Sequence, residues 1–276
     1  MVNQLLRLCL LLTGLTSLAA SAFAAPLPLV VALGEHKPPY ILQDKHAGIE
    51  YELVTTALRN AGYEPQVVFM PNQRAQQALT EGRVDAAISR NGPFVSVPYI
   101  AYHNMALTLC ERRLRLGSIN DLTRYRVAAF HNAQRFLGPE YAAMTRDSHD
   151  YTEVSPQPIL GNLLYTGRSD VVISDLFVFL GLTPQLSLPA GAIRPVCSHA
   201  LFPPTLYSLS FRSPEAWQRF NQAIRQLARS GFYAKLARSY QLQDKQGHAL
   251  FSPDTVVRTP PGGQRWVAPI SASQPR

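Results

Sequence analysis

Two similar twelve-residue segments place residues of opposite charge at equivalent positions. Residues 79–90 (LTEGRVDAAISR) and 164–175 (LYTGRSDVVISD) coincide at six positions with a constant offset of 85 residues. Each segment is typical of a helix end, a glycine and a short apolar strand that ends at a serine. The next residue is Arg90 in one copy and Asp175 in the other. Because ligands of open α/β sheets bind beyond the carboxyl ends of the strands, this pair predicts a cleft suited to a small zwitterion.

Four polar side chains are candidates for ligand contacts at these strand ends. Arg74, in the first turn of a predicted helix, and Arg90 are alternative clamps for a carboxylate, since a guanidinium presents two parallel donors. A solvated surface ion pair is the other interpretation of each. Asp175 is expected to contact the ligand from the opposite lobe. Ser89 would either donate a hydrogen bond to the ligand or cap local backbone.

Two loops supply the remaining candidates for ligand binding. Tyr40 closes a stiff loop that contains two consecutive prolines, and its ring would lie against the solute or join the core. His131 and Asn132 follow a predicted strand at 126–130, at the same edge of the sheet. Each would face the ligand, with an ordinary loop role as the alternative.

The sequence lacks the common patterns of catalytic, metal and nucleotide sites. Gly-x-Ser-x-Gly, His-Glu-x-x-His, Cys-x-x-Cys and a glycine-rich nucleotide loop are all missing. We therefore expect no cofactor, no metal and no catalytic residue. A dehydratase that uses Glu35 and Asp175 as paired carboxyl groups is the enzymatic alternative.

The chain is basic, with a formal net charge of +8. Its Arg residues are scattered, apart from Arg112, Arg113 and Arg115, and no basic stretch alternates with aromatic residues. Single-strand nucleic-acid binding requires such an alternation. We expect no nucleic-acid partner.

The N-terminus resembles a secretory signal peptide. The apolar residues 8–20 follow a basic residue and precede Ala22-Phe23-Ala24, so we predict cleavage after Ala24 and export to the periplasm. The apolar run is too short to span a bilayer. Cys110 and Cys197 would pair in an oxidising compartment or stay as buried thiols. If a disulfide joined them across the segments that connect the lobes, its reduction would loosen the hinge.

Helical and strand periodicities predict two β-α-β-α-β lobes. Strands at 29–33, 66–70 and 84–89 alternate with helices, and the same order recurs over 126–174. Residues 105–111 and 195–211 are expected to cross between the lobes. The predicted organisation is a signal peptide at 1–24, a first lobe at 25–108 and 200–242, a second lobe at 109–199 and an irregular tail at 243–276.

Several motifs occur in the order typical of one family of binding proteins. They are Pro38-Pro39-Tyr40, Gly48-Ile49-Glu50-Tyr51-Glu52-Leu53, Leu79-x-x-Gly82-x-Val84-Asp85, Ser96-x-Pro98-Tyr99 and Ala223-Ile224-x-x-Leu227-x-x-x-Gly231-x-Tyr233. Over residues 29–240 the chain thereby resembles the extracytoplasmic solute-binding proteins of family 3, which include periplasmic receptors for polar amino acids. The resemblance implies a type II-like periplasmic binding protein fold, with two lobes that close over a solute by hinge motion.

The chain departs from this family at one binding motif. Family members hold the ligand carboxylate with a Thr-x-x-Arg motif after the Val-Asp strand, whereas here residues 91–95 lead directly to Ser96. The family's ammonium-binding acid corresponds to Asp175. The resemblance implies capture of a small polar, amino-acid-like or zwitterionic solute by a monomer that serves an ABC-type importer through a membrane permease. The alternatives are a ligand-sensing component for a membrane sensor and a cyclohexadienyl-dehydratase-like enzyme.

Overall fold

The computed structural model describes residues 25–89 and 91–254, together with the backbone of 265–266. The predicted signal peptide, Arg90 and most of the predicted tail beyond residue 254 lie outside the described residues. Within the described part, no helix is both long and apolar enough to cross a membrane.

The described residues form an α/β structure. Its strands are β1 (Leu27–Leu33), β2 (Tyr63–Phe69), β3 (Ala86–Ile88), β4 (Phe94–Val95), β5 (Ile100–Tyr102), β6 (Asn104–Leu109), β7 (Val127–Phe130), β8 (Tyr151–Val154), β9 (Val171–Asp175), β10 (Val196–His199), β11 (Thr205–Tyr207), β12 (Leu209–Phe211) and β13 (Arg265–Trp266). Its helices are α1 (Ile49–Asn60), α2 (Asn72–Thr80), α3 (Ala133–Phe136), α4 (Pro139–Asp147), α5 (Pro158–Tyr165), α6 (Leu176–Leu182), α7 (Pro214–Arg229) and α8 (Phe232–Ser239).

Two sheets of equivalent topology define the two lobes. The first has the strand order β2-β1-β3-β12-β4 and the second has the order β13-β10-β6-β9-β7-β8. Each contains three parallel strands followed by one antiparallel strand, β12 in the first lobe and β6 in the second. In sequence, β6 directly follows β5 and β12 directly follows β11, the two strands that connect the lobes. The predicted two-lobed α/β fold is confirmed.

The lobes are connected by a short antiparallel ribbon of β5 and β11. The expected crossing at 105–111 is wrong, because β6 pairs along its length with β9 and β10 inside the second sheet. The boundary expected after residue 108 therefore falls within a central strand. A continuous apolar run suits both a buried central strand and a crossing strand, so its composition could not separate the two.

A single apolar core continues from the first lobe through the connecting ribbon into the second lobe. It includes Leu33 and Ile41 of the first lobe, Tyr102 of the ribbon, and Leu176 and Phe177 at the start of α6. The two lobes therefore pack against each other at the connecting ribbon and the start of α6.

Cys110 and Cys197 form a disulfide. Cys110 directly follows β6 and Cys197 lies in β10, the antiparallel neighbour of β6. The bond lies at the end of β6 that is remote from the connecting ribbon. It crosslinks the second sheet, so the expected loosening of the hinge on reduction does not follow from its position.

Residues 249–251, within the segment expected to begin an irregular tail, pack beside the connecting ribbon. The backbone N–H of Ala101 donates to the carbonyl of Phe251 over 2.8 Å, and the ring Nε2 of His103 lies 2.6 Å from the carbonyl oxygen of Leu250. Phe251 is fully buried and its ring stacks on Tyr233. This part of the predicted tail thus contributes to the apolar core that includes the connecting ribbon.

Candidate functional site

The lobes meet at the carboxyl ends of their parallel strands. Gly181 of α6, in the second lobe, lies so close to the first lobe that a Cβ there would come within 2.6 Å of the Pro38 carbonyl oxygen. Nearby, Nε2 of Gln185 and Nε2 of His36 are 3.3 Å apart. We call this side of the cleft, between the 36–40 loop and α6, the closed side.

A lysine side chain fills an aromatic site on the closed side. The Lys37 Nζ lies 4.7 Å from the ring centroid of Tyr102 and 5.4 Å from that of Tyr207. It also lies 3.4 Å from Oε2 of Glu50. We call Tyr102, Tyr207 and Glu50 the lysine cage. Two ring faces and a carboxylate all attract an ammonium ion, so the cage stabilises the Lys37 charge.

Glu50 is a fully buried acid that the sequence analysis did not single out as a site residue. Its oxygens accept hydrogen bonds from the hydroxyls of Tyr99, over 2.7 Å, and Tyr102, over 2.5 Å. Burial, followed by the negative charge of Glu50, raises the pKa of both tyrosines well above the ordinary value, so both hydroxyls remain protonated donors. With Lys37, these donors give the buried carboxylate the partners that it needs.

Asp175 is buried at the start of α6, with both carboxylate oxygens engaged by its own chain. It caps α6, since Oδ1 accepts from the backbone N–H groups of Phe177 and Val178, each over 3.0 Å. Oδ2 accepts from the backbone N–H of His103 over 2.6 Å. Burial raises the pKa of Asp175 to about 6, although these hydrogen bonds and Lys37 act in the opposite direction. The carboxylate therefore has an evident structural role beside any contact with a ligand.

Tyr40 belongs to the core rather than to an accessible surface. Its side chain is fully buried, and its ring centroid lies 4.1 Å from that of Tyr102. Its hydroxyl makes no hydrogen bond of standard geometry with the described residues. Burial is the main cause that raises the pKa of this hydroxyl well above its ordinary value, followed by the charges of Asp175 and Glu50 and by a hydrogen-bond interaction with Asp175.

The remaining candidates of the first lobe are not gathered around one point. The Ser89 Oγ accepts from the backbone N–H of Asn91 over 3.1 Å, which is the local capping alternative. Arg74 is exposed and forms no ion pair or hydrogen bond with the described residues. Arg90 lies outside those residues. Glu35 is exposed and makes no hydrogen bond to Asp175, so the paired carboxyl groups of the dehydratase alternative are not formed in this structure.

In the second lobe, an internal carboxylate occupies the donors of the loop after β7. Glu153 accepts from the backbone N–H of Asn132 over 2.6 Å and from that of Gln134 over 3.0 Å. His131 is exposed, and Asn132 adopts a left-handed backbone conformation with φ of +66°. Glu153 was missed by the sequence analysis, although its place near the end of β8, beside β7, could have indicated it.

The other side of the cleft is open. A cavity of about 420 Å³ is lined by Pro98 and Ser208 of the first lobe, by Phe136 and Leu137 of the second, and by residues 202–206. Phe136 stands at this cavity with 64% of its surface exposed. We call this cavity the open groove. Its lining is mainly apolar, with Thr205 and Ser208 as hydroxyl donors and acceptors.

Metal-binding clusters of three or more His, Cys, Asp or Glu side chains do not occur among the described residues. No protein-family model and no curated protein sequence matches the chain.

Several solved structures share the fold. An amino acid ABC transporter substrate-binding protein, AbpA from Streptococcus pneumoniae bound to L-arginine, is 19% identical, with a TM-score of 0.58 over 76% of this chain and 93% of that chain. The GluR0 ligand-binding core from Nostoc punctiforme, in complex with L-glutamate, is 21% identical, with a TM-score of 0.57 over 76% and 97%. An ancestral arginine-binding protein bound to arginine is 19% identical, with a TM-score of 0.57 over 78% and 98%. At these identities the likeness shows the two-lobed binding-protein fold.

Proposed function

We propose that this chain is an exported solute-binding protein of family 3, which captures a small polar, amino-acid-like or zwitterionic solute for an ABC-type importer. The observation that carries the proposal is the open groove, which residues of both lobes line; the Ser208 carbonyl accepts from the backbone N–H of Ser89, just after β3, and Phe136 lies in the helix that follows β7. A solute bound there contacts both lobes and so favours their closure by its differential affinity. The match to AbpA, a transporter substrate-binding protein, supports the same role.

The solute is held differently from the ligand of an ordinary amino-acid receptor of this family. The family's carboxylate-binding motif is missing, and Glu153 already fills the backbone donors of the loop after β7. The groove instead offers apolar surface from Phe136, Leu137 and Pro98, together with the hydroxyl-bearing Thr205 and Ser208. These contacts suit an amino-acid-like solute that carries an apolar portion.

Periplasmic location, a monomeric state and a membrane permease as partner belong to the same proposal. The signal-peptide pattern of residues 1–24 supports export. Ligand sensing for a membrane sensor is a second candidate, because the GluR0 ligand-binding core shares the fold. Co-purification with a permease would favour transport, whereas co-purification with a sensor ectodomain would favour sensing.

The test is a ligand screen of residues 25–276 by thermal unfolding and calorimetry. The panel contains amino acids, dipeptides, organic acids and polyamines. A ligand present at a hundred times its Kd should stabilise the native state by about 2.7 kcal/mol, which raises Tm measurably. Phe136→Ala should weaken the response, while Phe232→Ala, on the far helix α8, should not. Failure of the whole panel to raise Tm or release heat would overturn the proposal.

A further inference from the structure

We infer that Lys37 is a tethered occupant of a cation site, which excludes solutes with cationic side chains from the closed side of the cleft. The inference rests on the proposed function and deepens it, because it concerns the class of solute that the cleft accepts. Its basis is the lysine cage of Tyr102, Tyr207 and Glu50, whose chemistry suits any ammonium or guanidinium group.

The cage requires a cation. Glu50 is fully buried, and its two tyrosine donors supply hydrogen bonds without neutralising its charge. A buried carboxylate without a positive partner is strongly disfavoured. Asp175 adds a second buried carboxyl group, which lies close enough for Lys37 to lower its pKa. Lys37 is thus the positive charge that this cluster of acids needs.

The backbone segment that carries Lys37 is held in place by hydrogen bonds. Lys37 and Ile41 exchange two backbone hydrogen bonds, each of 3.0 Å, across the proline-containing loop. The Lys37 side chain is only 16% exposed, so its ammonium is held in the cage with little access to water. A solute cation would have to displace a group that is bound to the protein covalently and therefore has a high effective concentration.

The cage lies where a solute could reach it if Lys37 were shortened. It belongs to the connecting ribbon, where β5 and β11 carry Tyr102 and Tyr207. The open groove includes Thr205 and Leu206 from the same strand β11. The two halves of the cleft therefore share one wall. Lys37 fills one half, and the solute is left with the apolar half.

The experiment is a chemical rescue of Lys37→Ala. Wild type, Lys37→Ala, Lys37→Arg and Lys45→Ala are titrated with n-butylammonium, with n-butanol and sodium chloride as controls for the alkyl chain and the salt. Lys45 is exposed and forms no contact with the cage, so its variant is the matched control. We expect n-butylammonium to raise the Tm of Lys37→Ala alone, and the neutral alcohol and salt to have no such effect.

A second titration uses natural cationic solutes. Lys37→Ala should bind L-arginine or L-lysine about tenfold or more tightly than wild type, whereas Lys37→Arg should exclude them as wild type does. If Lys37→Ala fails to fold alone, n-butylammonium should restore its near-UV circular dichroism. Absence of both rescue and gained affinity overturns the inference, as does tight binding of L-arginine by wild type. Failure of the proposed function would instead appear as a lack of any ligand for wild type, so the two failures are distinguishable.

Discussion

The closed side and the open groove occupy one cleft but have opposite characters. On the closed side, the Glu50 and Asp175 carboxylates and the Lys37 ammonium have partners within the chain, and Gly181 touches the opposite lobe. In the open groove, Phe136 is mostly exposed and the lining is largely apolar. The comparison shows that the charged groups of the closed side are engaged by other groups of the protein, while the surface left for a solute is mainly hydrophobic.

This difference bears on how the lobes move. Contacts made entirely by the protein favour closure to the same extent with or without a solute. A solute can shift the equilibrium only through its own differential contacts, which here lie in the open groove. Weakening the closed side should therefore change stability and lobe separation, while weakening the groove should change affinity.

Removal of Glu50 should have the largest effect on the closed side. Glu50→Ala leaves Lys37 without its carboxylate and removes the acceptor of Tyr99 and Tyr102. Breaking a buried ion pair costs about 3–5 kcal/mol, so urea unfolding should show a loss in that range. Glu215→Ala, which removes an exposed i,i+4 pair with Arg219, should change stability by about 0.5 kcal/mol or less. Equal effects of the two variants would contradict the assignment of the cage as a buried charge cluster.

Asp175 should make the closed side more stable in mild acid. Its pKa is raised to about 6 in the folded protein, above about 3.9 in the unfolded chain, so the folded state binds the proton more tightly. The associated stabilisation is fully present below pH 3.9 and is lost as pH rises through 6. Its magnitude is about 3 kcal/mol, at 1.36 kcal/mol for each unit of pKa.

The measurement for Asp175 is the free energy of unfolding of wild type and Asp175→Asn between pH 4 and 7. Relative to the variant, wild type should lose stability across this interval. Asp170 provides a control of opposite sign, because Arg126 lowers its pKa to about 2, and its contribution is lost only as pH falls below about 4. A wild-type-minus-Asp175→Asn difference that does not vary with pH would show that Asp175 does not titrate in this way.

Gly181→Ala tests the contact between the lobes directly. The new methyl group would meet the Pro38 carbonyl oxygen, a backbone atom that cannot rotate away. Overpacking of this kind costs about 1–3 kcal/mol, and the strain is relieved if the lobes separate. Small-angle X-ray scattering should therefore give a larger radius of gyration than for wild type. Gly117→Ala, which has no neighbour closer than 3.8 Å, should leave the radius unchanged.

The smallest effect is expected at Tyr40. Tyr40→Phe removes a buried hydroxyl whose interaction with the Asp175 carboxyl falls short of standard hydrogen-bond geometry, so stability should stay within about 1 kcal/mol of wild type or increase. Tyr233→Phe removes a hydroxyl that donates to the Tyr99 carbonyl over 2.7 Å, and should cost about 1 kcal/mol. A larger loss in Tyr40→Phe than in Tyr233→Phe would indicate that the interaction between the Tyr40 hydroxyl and Asp175 is as strong as a well-formed hydrogen bond.

The fold could be predicted where the sequence repeats a local pattern. The two twelve-residue segments each end a helix at a glycine with positive φ, Gly82 at +75° and Gly167 at +71°, and continue into β3 and β9. Even their acidic residues act alike, since Asp85 accepts from the backbone of Val30 and Asp170 from that of Arg126. Helix ends and strand alternation depend on neighbouring residues, so the sequence reveals them directly.

The site could be predicted only in part, because its contacts join distant segments. The strand ends are where the two lobes meet, but periodicity does not reveal that Asp175 caps its own helix or that Glu153 reaches the loop after β7. The lysine cage brings together residues 37, 50, 102 and 207, which no spacing rule connects. Tyr40 on its proline loop had two interpretations, and its full burial in the structure agrees with a core role.

The first lobe is built from two separate stretches of chain, and this has a consequence for the order in which the protein is completed. The first sheet needs β12, and its lobe also needs α7 and α8, all of which follow the second lobe in the chain. By contrast, residues 104–199 contain every element of the second sheet except β13. During synthesis, which proceeds from the N-terminus, the chain therefore contains a nearly complete second lobe while the first lobe still lacks β12. The lobe that begins first is finished last, and truncation after residue 204 would remove its β12 and both its C-terminal helices.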